Sequence, residues 1–326
     1  MTTNSHSMPS ADGYSLARMR FDGQVAIVTG AGGELGRCHA FQLAARGAKV
    51  VVNDLGVARD GTGGALSAVE QVVAEIRASG GQAVASTASV TDPQGVHEMI
   101  DLAMREWKRV DILVNNAGFL RDKTFSKMSI EDFRVIVEVH LMGAVHCTKA
   151  VWEIMKAQGY GRIVMTTSSS GLFGSFGQSN YGAAKMALVG LMQTLALEGE
   201  KYGIRVNCLA PSAATRMTEG IRTAEDPALL TLESVTPGLL YLVSQDAPTK
   251  TVLCAGAGSF ACSNITLTDG VFVGVRPDAA DFLAAKAEQL VDRTGERVPY
   301  AGIQQSHIEV TKAQAAHSTA SLESMM

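Results

Sequence analysis

Short apolar strands and helical segments alternate from Val25 to about Ile265, and this pattern constrains the fold more than any other feature of the chain. Such alternation is typical of a parallel sheet covered by helices on both faces. Strands are predicted at residues 24–29, 48–53, 82–86, 110–114, 161–167, 204–209 and 251–255. Because 46% of the 326 residues are hydrophobic, the chain can bury one large core. We expect an α/β fold with one doubly wound parallel sheet of about seven strands.

The first predicted strand runs directly into a glycine-rich turn at residues 30–36, and an apolar helical stretch follows. Strand, turn and helix in this order make an anion site, because the first amides of a helix have no intrahelical partner and the helix dipole favours negative charge. The sequence therefore predicts a phosphate-binding turn. Its candidate cofactor-binding residues are Gly30, Gly33, Leu35 and Gly36.

Asp54 follows the second predicted strand, 24 residues after Gly30. A carboxylate there can accept hydrogen bonds from an adenosine ribose and would repel a 2′-phosphate, which favours NAD over NADP. The alternative is that residues 53–56 only form a strand-ending turn. Ligands of open α/β sheets bind beyond the carboxyl ends of the strands, where three more candidates lie. They are Asn116, Ala117 and Gly118.

Tyr181 and Lys185 are one helical turn apart in a helix predicted at residues 179–199, and Ser168 precedes the tyrosine by 13 residues. Residues i and i+4 share a helix face, so the phenol and the ammonium can act together. A neighbouring cation lowers the pKa of tyrosine from about 10 and suits it to proton transfer at neutral pH. This spacing also arises by chance, so its weight depends on the features around it.

Together these segments resemble the short-chain dehydrogenase/reductase family over residues 20–275. Longer stretches resemble its (3R)-hydroxyacyl-CoA dehydrogenase branch, which includes a domain of the peroxisomal multifunctional enzymes and stand-alone bacterial relatives. These stretches are residues 51–56, 115–122, 160–165, 176–181 and 210–218. The resemblance implies a Rossmann-like fold and reversible NAD-dependent oxidation of a secondary alcohol, either a 3-hydroxyacyl-CoA or a steroid-like alcohol. A 3-oxoacyl carrier-protein reductase, a hydroxysteroid dehydrogenase and an idle nucleotide-binding scaffold remain as alternatives.

The resemblance also implies a role for each matching residue. Tyr181 would be the general acid/base, Lys185 would lower its pKa and bind the nicotinamide ribose, and Ser168 would hold the substrate oxygen. His140 stands where the family usually has a catalytic asparagine, and the hydroxyacyl branch shares this histidine. It is either a proton relay or a satisfied, partly buried histidine. The residues implied to line the cofactor include Val90, Asn116, Ala117, Gly118 and Ala214, with the amide of the last near the nicotinamide carboxamide.

Glu34 departs from the family pattern, since it occupies the place of the central glycine of the turn. We expect its bulk and negative charge beside the pyrophosphate to weaken NAD binding. Gly33 can relieve the backbone strain, and the side chain can point to solvent. Ser89 replaces the usual acidic residue of the third strand but can still hydrogen-bond adenine, and Ser212 replaces a glycine after Pro211.

The charge pattern argues against nucleic acid or an anionic membrane as partner, because the net charge is −4 and Lys and Arg are scattered. Five cysteines without a C-x-x-C pair make a disulfide framework or a zinc site unexpected. No apolar run reaches membrane-spanning length, the start lacks a signal-peptide pattern, and the chain ends Glu-Ser-Met-Met rather than Ser-Lys-Leu. A cytoplasmic enzyme is expected.

Three regions are predicted along the chain: a flexible leader at residues 1–20, a catalytic domain at 21–275, and a partly mobile extension at 276–326. A substrate loop is expected at about 211–250. Apolar residues there and before Tyr181 can cover a substrate or simply pack in loops; they are Phe173, Phe176, Ala213, Met217, Leu229 and Leu230. The family resemblance suggests a homodimer or homotetramer through residues 136–156 and 179–199, although both helices can equally cover the sheet.

Overall fold

The computed structural model describes residues 19–56, 66–214 and 228–324. Most of the predicted leader, residues 1–18, and part of the predicted substrate loop, including Met217, lie outside these ranges. Contacts divide the chain into two units, Met1–Cys262 and Ser263–Met326.

The first unit is built on a single sheet. Its strands are β1 (Val25–Thr29), β2 (Lys49–Asn53), β3 (Gln82–Ser86), β4 (Ile112–Asn115), β5 (Gly161–Thr166), β6 (Ile204–Ser212), β7 (Val252–Gly256) and β8 (Ser259–Ser263). They lie in the order β3-β2-β1-β4-β5-β6-β7-β8. Every pairing from β3 through to β7 is parallel. The predicted doubly wound α/β fold is confirmed.

Helices cover both faces of this sheet. They are α1 (Glu34–Ala44), α2 (Leu66–Ala78), α3 (Pro93–Trp107), α4 (Ile130–Val137), α5 (Gly143–Gln158), α6 (Ser169–Phe173), α7 (Ser179–Gly199) and α8 (Thr236–Leu242). Side chains alternate along a strand, so β1 sends Ala26 and Val28 into a core with α1, α2 and α8. Val25 and Ile27 enter the opposite core with α3, α5 and α7. The bounds of α7 agree with the predicted long helix.

The eighth strand was not predicted. A two-residue turn joins β7 to β8, with φ of 50° at Ala257 and 73° at Gly258. Positive φ at both central residues is the geometry of tight hairpin turns, whose twist matches that of the strands. Four of the five residues of β8 are exposed, so this edge strand carries no apolar run that would reveal it in the sequence.

Over residues 263–324, the second unit contains three helices, α9 (Ala279–Ala285), α10 (Ala287–Val291) and α11 (Ile303–Ser324). Helical spacing predicted structure near residues 281–293, but α11 was not predicted because its sequence has no clear period. From residue 263 to residue 318, where side chains are described, none is buried. In the described ranges, no helix of either unit combines the length and apolar character needed to cross a membrane.

Candidate active site

A cavity of about 570 Å³ opens where β1, β2, β4 and β5 end. The strand order reverses between β1 and β4, and ligands of open α/β sheets bind beside such a reversal. The cavity is lined by nearly all predicted site residues: Gly30, Gly33, Leu35, Gly36, Asp54, Ser89, Val90, Asn116, Ala117, Gly118, His140, Ser168, Tyr181 and Lys185.

The glycine turn leaves the first amides of α1 available to an anion. Gly33 caps this helix without a side-chain hydrogen bond, so no side chain of the cap competes for those amides. The turn also packs against the loop after β4, since a Cβ on Gly30 would lie 2.7 Å from Ala117 Cα. A Cβ on Gly36 would lie 2.1 Å from the Gly30 carbonyl oxygen. These close approaches explain the glycines at both positions.

Glu34 carries the backbone strain itself. Its φ is 47°, in the left-handed region, whereas Gly33 is extended with φ of −160°. The expectation that Gly33 relieves the strain is therefore wrong, because the turn places the left-handed residue at position 34. Glu34 is also one of the residues that line the cavity.

Asp54 is held in place by two backbone amides. Gly32 N donates to its Oδ2 at 2.9 Å, and Gly56 N donates to its Oδ1 at 2.7 Å. A Cβ on Gly32 would come within 3.0 Å of this carboxylate, so the turn and β2 are in close contact here. Each carboxylate oxygen still has a lone pair for a further donor, such as a ribose hydroxyl.

Asn116 joins the loops after β1 and β4. Its Nδ2 donates to the carbonyl oxygens of Thr29 at 3.0 Å and Gly30 at 3.1 Å. The Thr29 hydroxyl accepts from the amides of Asn116 at 3.0 Å and Ala117 at 3.1 Å. The asparagine therefore fixes the two loops that form the floor of the cavity.

Tyr181, Lys185 and Ser168 converge at the other end of the cavity. Lys185 Nζ lies 5.5 Å from the centroid of the Tyr181 ring, and the Ser168 hydroxyl lies beside the phenol. Desolvation raises the pKa of Tyr181 to about 12, which outweighs the opposite effect of Ser168. Burial also lowers the pKa of Lys185 to about 7. The lowered tyrosine pKa expected from the i, i+4 spacing is absent here, because both side chains are removed from water.

The last residue of β5 and the residue that follows it hold Lys185. Its Nζ donates to the Thr166 carbonyl oxygen at 2.5 Å, and the Thr167 hydroxyl donates to the Lys185 carbonyl oxygen at 2.6 Å. The sequence reasoning missed both threonines. Their position directly before Ser168, at the end of a predicted strand, is the signal that pointed to them.

His140 lies in a π-helical segment, Glu138–Met142, between α4 and α5. Such segments occur often at functional sites. Its Nε2 lies 2.8 Å from the Phe119 carbonyl oxygen and 3.2 Å from the Phe119 amide nitrogen, so it donates to the oxygen when it carries the proton and accepts from the amide when it does not. Nδ1 is buried and has no partner among the described residues. Burial and the charge of Lys185 hold the pKa of His140 well below 6.5, so the ring is neutral at neutral pH.

Two further polar residues of the site were also missed. Gln178 lines the cavity, and its Nε2 donates to Asp122 Oδ2 at 2.7 Å. Asn180 is fully buried, donates to the Arg121 carbonyl oxygen at 3.1 Å, and accepts from the Tyr181 amide at 2.7 Å. Together they tie the loop after β4 to the helix that carries the tyrosine. Both belong to the stretch that carried the family resemblance.

Ala214 differs from the other predicted site residues. It does not line the cavity, and its amide donates to the Leu230 carbonyl oxygen at 2.7 Å. Contact with a carboxamide would require this hydrogen bond to open. Its neighbours Pro211 and Ala213 do line the cavity. Phe173 and Phe176 are largely exposed, before α7.

Comparison with known sequences gives extended matches. The pattern of short chain dehydrogenases matches residues 24–226. A short-chain type dehydrogenase/reductase of Mycobacterium tuberculosis is 48% identical over 276 residues, which cover 84% of this chain and 96% of that protein. Peroxisomal multifunctional enzyme type 2 of Mus musculus is 49% identical over 224 residues, which cover 69% of this chain and 30% of the enzyme. The chain thus spans less than a third of the mouse enzyme.

Two solved structures are similar in fold. Full-length peroxisomal multifunctional enzyme type 2 of Drosophila melanogaster superposes with a TM-score of 0.75 at 34% identity, covering 90% of this chain and 50% of that one. A 7α-hydroxysteroid dehydrogenase, solved with NADH and 7-oxo glycochenodeoxycholic acid, superposes with a TM-score of 0.66 at 30% identity. The second match covers 74% of this chain and 95% of that one.

Proposed function

The chain belongs to the short-chain dehydrogenase/reductase family, and we propose that it oxidises the hydroxyl group of a 3-hydroxyacyl-CoA reversibly with NAD. One observation carries the proposal: Ser168, Tyr181 and Lys185 meet at one end of a cavity whose other end holds the glycine turn and Asp54. The uncapped amides of α1 fit the phosphates of a dinucleotide. A bound nicotinamide supplies the hydride acceptor.

The protein's own residues handle the proton. Ser168 and Tyr181 hold the substrate hydroxyl, and Tyr181 Oη receives its proton during oxidation. A protonated Lys185, 5.5 Å from the ring centroid, stabilises the phenolate form of Tyr181, which is the form that can accept the substrate proton. Because burial lowers the pKa of Lys185 to about 7, its charge changes near neutral pH. Neutral His140 hydrogen-bonds to the backbone of Phe119. Its ring also packs at a right angle to the Tyr181 ring, with the two ring centroids 5.2 Å apart.

Asp54 supports NAD rather than NADP. Its carboxylate lines the cavity beside the glycine turn, where a 2′-phosphate would meet negative charge. No cationic side chain lines the cavity beside Asp54 among the described residues. Binding of NADH and NADPH, measured side by side, tests this part of the proposal, and equal affinities would contradict it.

The apolar wall of the cavity supports an acyl or ring substrate. Phe119, Leu120, Val135 and Val139 line it near His140. The sequence stretches that resemble the hydroxyacyl-CoA dehydrogenase branch favour a 3-hydroxyacyl-CoA, and the likeness to a 7α-hydroxysteroid dehydrogenase favours a hydroxysteroid as the second candidate. We further propose a catalytic domain at residues 21–275, an extension at 276–326, and a homodimer or homotetramer.

Tyr181→Phe tests the chemistry. This change removes the proton-transfer group but keeps the ring, so turnover should fall by roughly 10²–10⁴-fold while NADH binding is retained. NADH formation is measured with 3-hydroxyacyl-CoA substrates of several chain lengths and with hydroxysteroids. Tyr202→Phe, on the 3₁₀ turn after α7, is the matched control and should leave turnover unchanged.

The outcomes separate the candidates. Turnover with hydroxysteroids alone would favour the second candidate. Undiminished turnover by Tyr181→Phe would remove the tyrosine from the mechanism, and NADH binding without turnover on either class would indicate a nucleotide-binding scaffold.

A further inference from the structure

We infer that Glu34 speeds the release of the reduced cofactor, because its carboxylate opposes the pyrophosphate of a dinucleotide bound in the cavity. The inference rests on the proposed function only in requiring that the cavity binds NADH. It assigns a role to a residue that lines the cavity and begins α1.

The charges around the cavity are divided between its two ends. Glu34 and Asp54 line the end beside the glycine turn, and no Lys or Arg lines that end among the described residues. The two cations of the lining, Arg121 and Lys185, belong to the end that contains His140 and Tyr181. Phosphates at the start of α1 would therefore meet amide dipoles and carboxylates, and among the described residues of the lining no cationic side chain lies at that end.

The backbone of Glu34 supports a functional reason for this residue. A φ of 47° is costly for a residue with a Cβ, whereas glycine adopts it freely. An acidic side chain near a helix N-terminus interacts well with the helix dipole, but neighbouring positions of the first turn offer that interaction without left-handed strain. Backbone strain retained at a ligand cavity is a recognised sign of a functional constraint.

The two redox states of the cofactor would respond differently. Both carry the pyrophosphate, but the oxidised nicotinamide ring is positive and the reduced ring is neutral. Net repulsion from Glu34 and Asp54 is therefore greater for the reduced form. Since product release limits many enzymes, a carboxylate that weakens the hold on NADH would raise turnover in the oxidative direction.

The test measures NADH dissociation by stopped-flow fluorescence in the full-length protein. Glu34→Gln removes the charge and keeps the size and the backbone strain, whereas Glu34→Gly removes charge and strain together. We expect dissociation to slow about tenfold in Glu34→Gln at low ionic strength, and further in Glu34→Gly. The ratio of the wild-type and Glu34→Gln dissociation rates should approach one at high salt, because salt screens the repulsion.

Asp101→Asn is the matched control, since this exposed acid on α3 does not line the cavity. NADH should dissociate from this variant at the wild-type rate. That result would exclude an effect of the protein's net charge alone. Equal rates for wild type and Glu34→Gln, with turnover intact, would overturn the inference and leave the proposed function standing. A tenfold effect on NADH release without turnover on any alcohol would overturn the function and leave the inference standing. Failure of every variant to bind NADH would overturn both.

Discussion

The His140 ring and Gly118 fit together so closely that each restricts the other. A Cβ on Gly118 would lie 2.1 Å from His140 Cε1, far inside van der Waals contact. The ring cannot easily withdraw, because its Nε2 hydrogen-bonds to the backbone of Phe119 and the ring packs at a right angle to that of Tyr181. The glycine therefore acts on the site through the histidine.

Gly118→Ala should destabilise the protein by about 1–3 kcal/mol, the usual cost of forcing an extra methyl into a packed interior. Turnover should fall as well, since the displaced ring contacts Tyr181. Urea unfolding and steady-state kinetics measure the two effects.

His140→Asn supplies the control for this prediction, because a smaller side chain leaves room for the methyl. Gly118→Ala should cost less in the His140→Asn background, and a double-mutant cycle measures the coupling. Additive effects would show that the collision with the ring is not the cause.

At the residue scale, the sequence predicted which side chains meet but not their protonation. Ser168, Tyr181 and Lys185 line one cavity as expected, because chain order fixes which loops follow the parallel strands. Their pKa values depend on desolvation by neighbours that are distant in sequence, so a spacing rule could not predict them. The left-handed φ of Glu34 was equally hidden, since either residue 33 or residue 34 could have adopted it.

At the scale of elements, α1 and α8 meet through a fully buried histidine. His39 Nδ1 lies 3.0 Å from the Thr236 hydroxyl, and Nε2 has no partner among the described residues. Burial lowers the pKa of His39 to about 3 from its ordinary 6.5. The His39 ring is therefore buried in its neutral form, and protonation of the ring would destabilise this contact.

This contact should make the protein sensitive to acid. Because the folded pKa lies below the unfolded value, the stabilisation is complete above pH 6.5 and is lost as pH falls toward 3. From His39 alone, the free energy of unfolding should drop by about 2 kcal/mol between pH 6.5 and 5.

His39→Asn keeps a polar group near Thr236 but does not titrate, so its unfolding free energy should decline less over that range. His97→Asn, on the exposed side of α3, should decline as steeply as the wild type. Denaturant unfolding at several pH values measures both, and parallel curves for wild type and His39→Asn would contradict the prediction.

A long run of small and apolar residues made α7 predictable. Its bounds agree with the predicted helix although its apolar residues follow no strong helical period. The π-helical segment around His140 was not predicted, since an extra residue in a helical turn leaves no mark on composition. The edge strand β8 was missed because it is exposed.

At the scale of the whole molecule, the two units differ in how they bury apolar surface. The sheet of the first unit has cores on both faces, with strand residues fully removed from water. The second unit buries no side chain among residues 263–318 and exposes Val275, Val291, Ile303 and other large apolar residues. The sequence predicted the first unit well because a two-faced core imposes a regular pattern, and the second poorly because no core of its own imposes one.

This contrast predicts that the isolated segment 263–326 does not fold independently. Without a buried core, hydrophobic stabilisation cannot offset the conformational entropy of ordering the chain, and a single helix such as α11 is marginal in water. Circular dichroism of this peptide should show low helicity and a gradual, non-cooperative thermal transition. A chain that ends at residue 263 serves as the counterpart, and it should unfold cooperatively because it retains both cores. Cooperative melting of the isolated peptide would show that the second unit has a stabilising core beyond the described side chains.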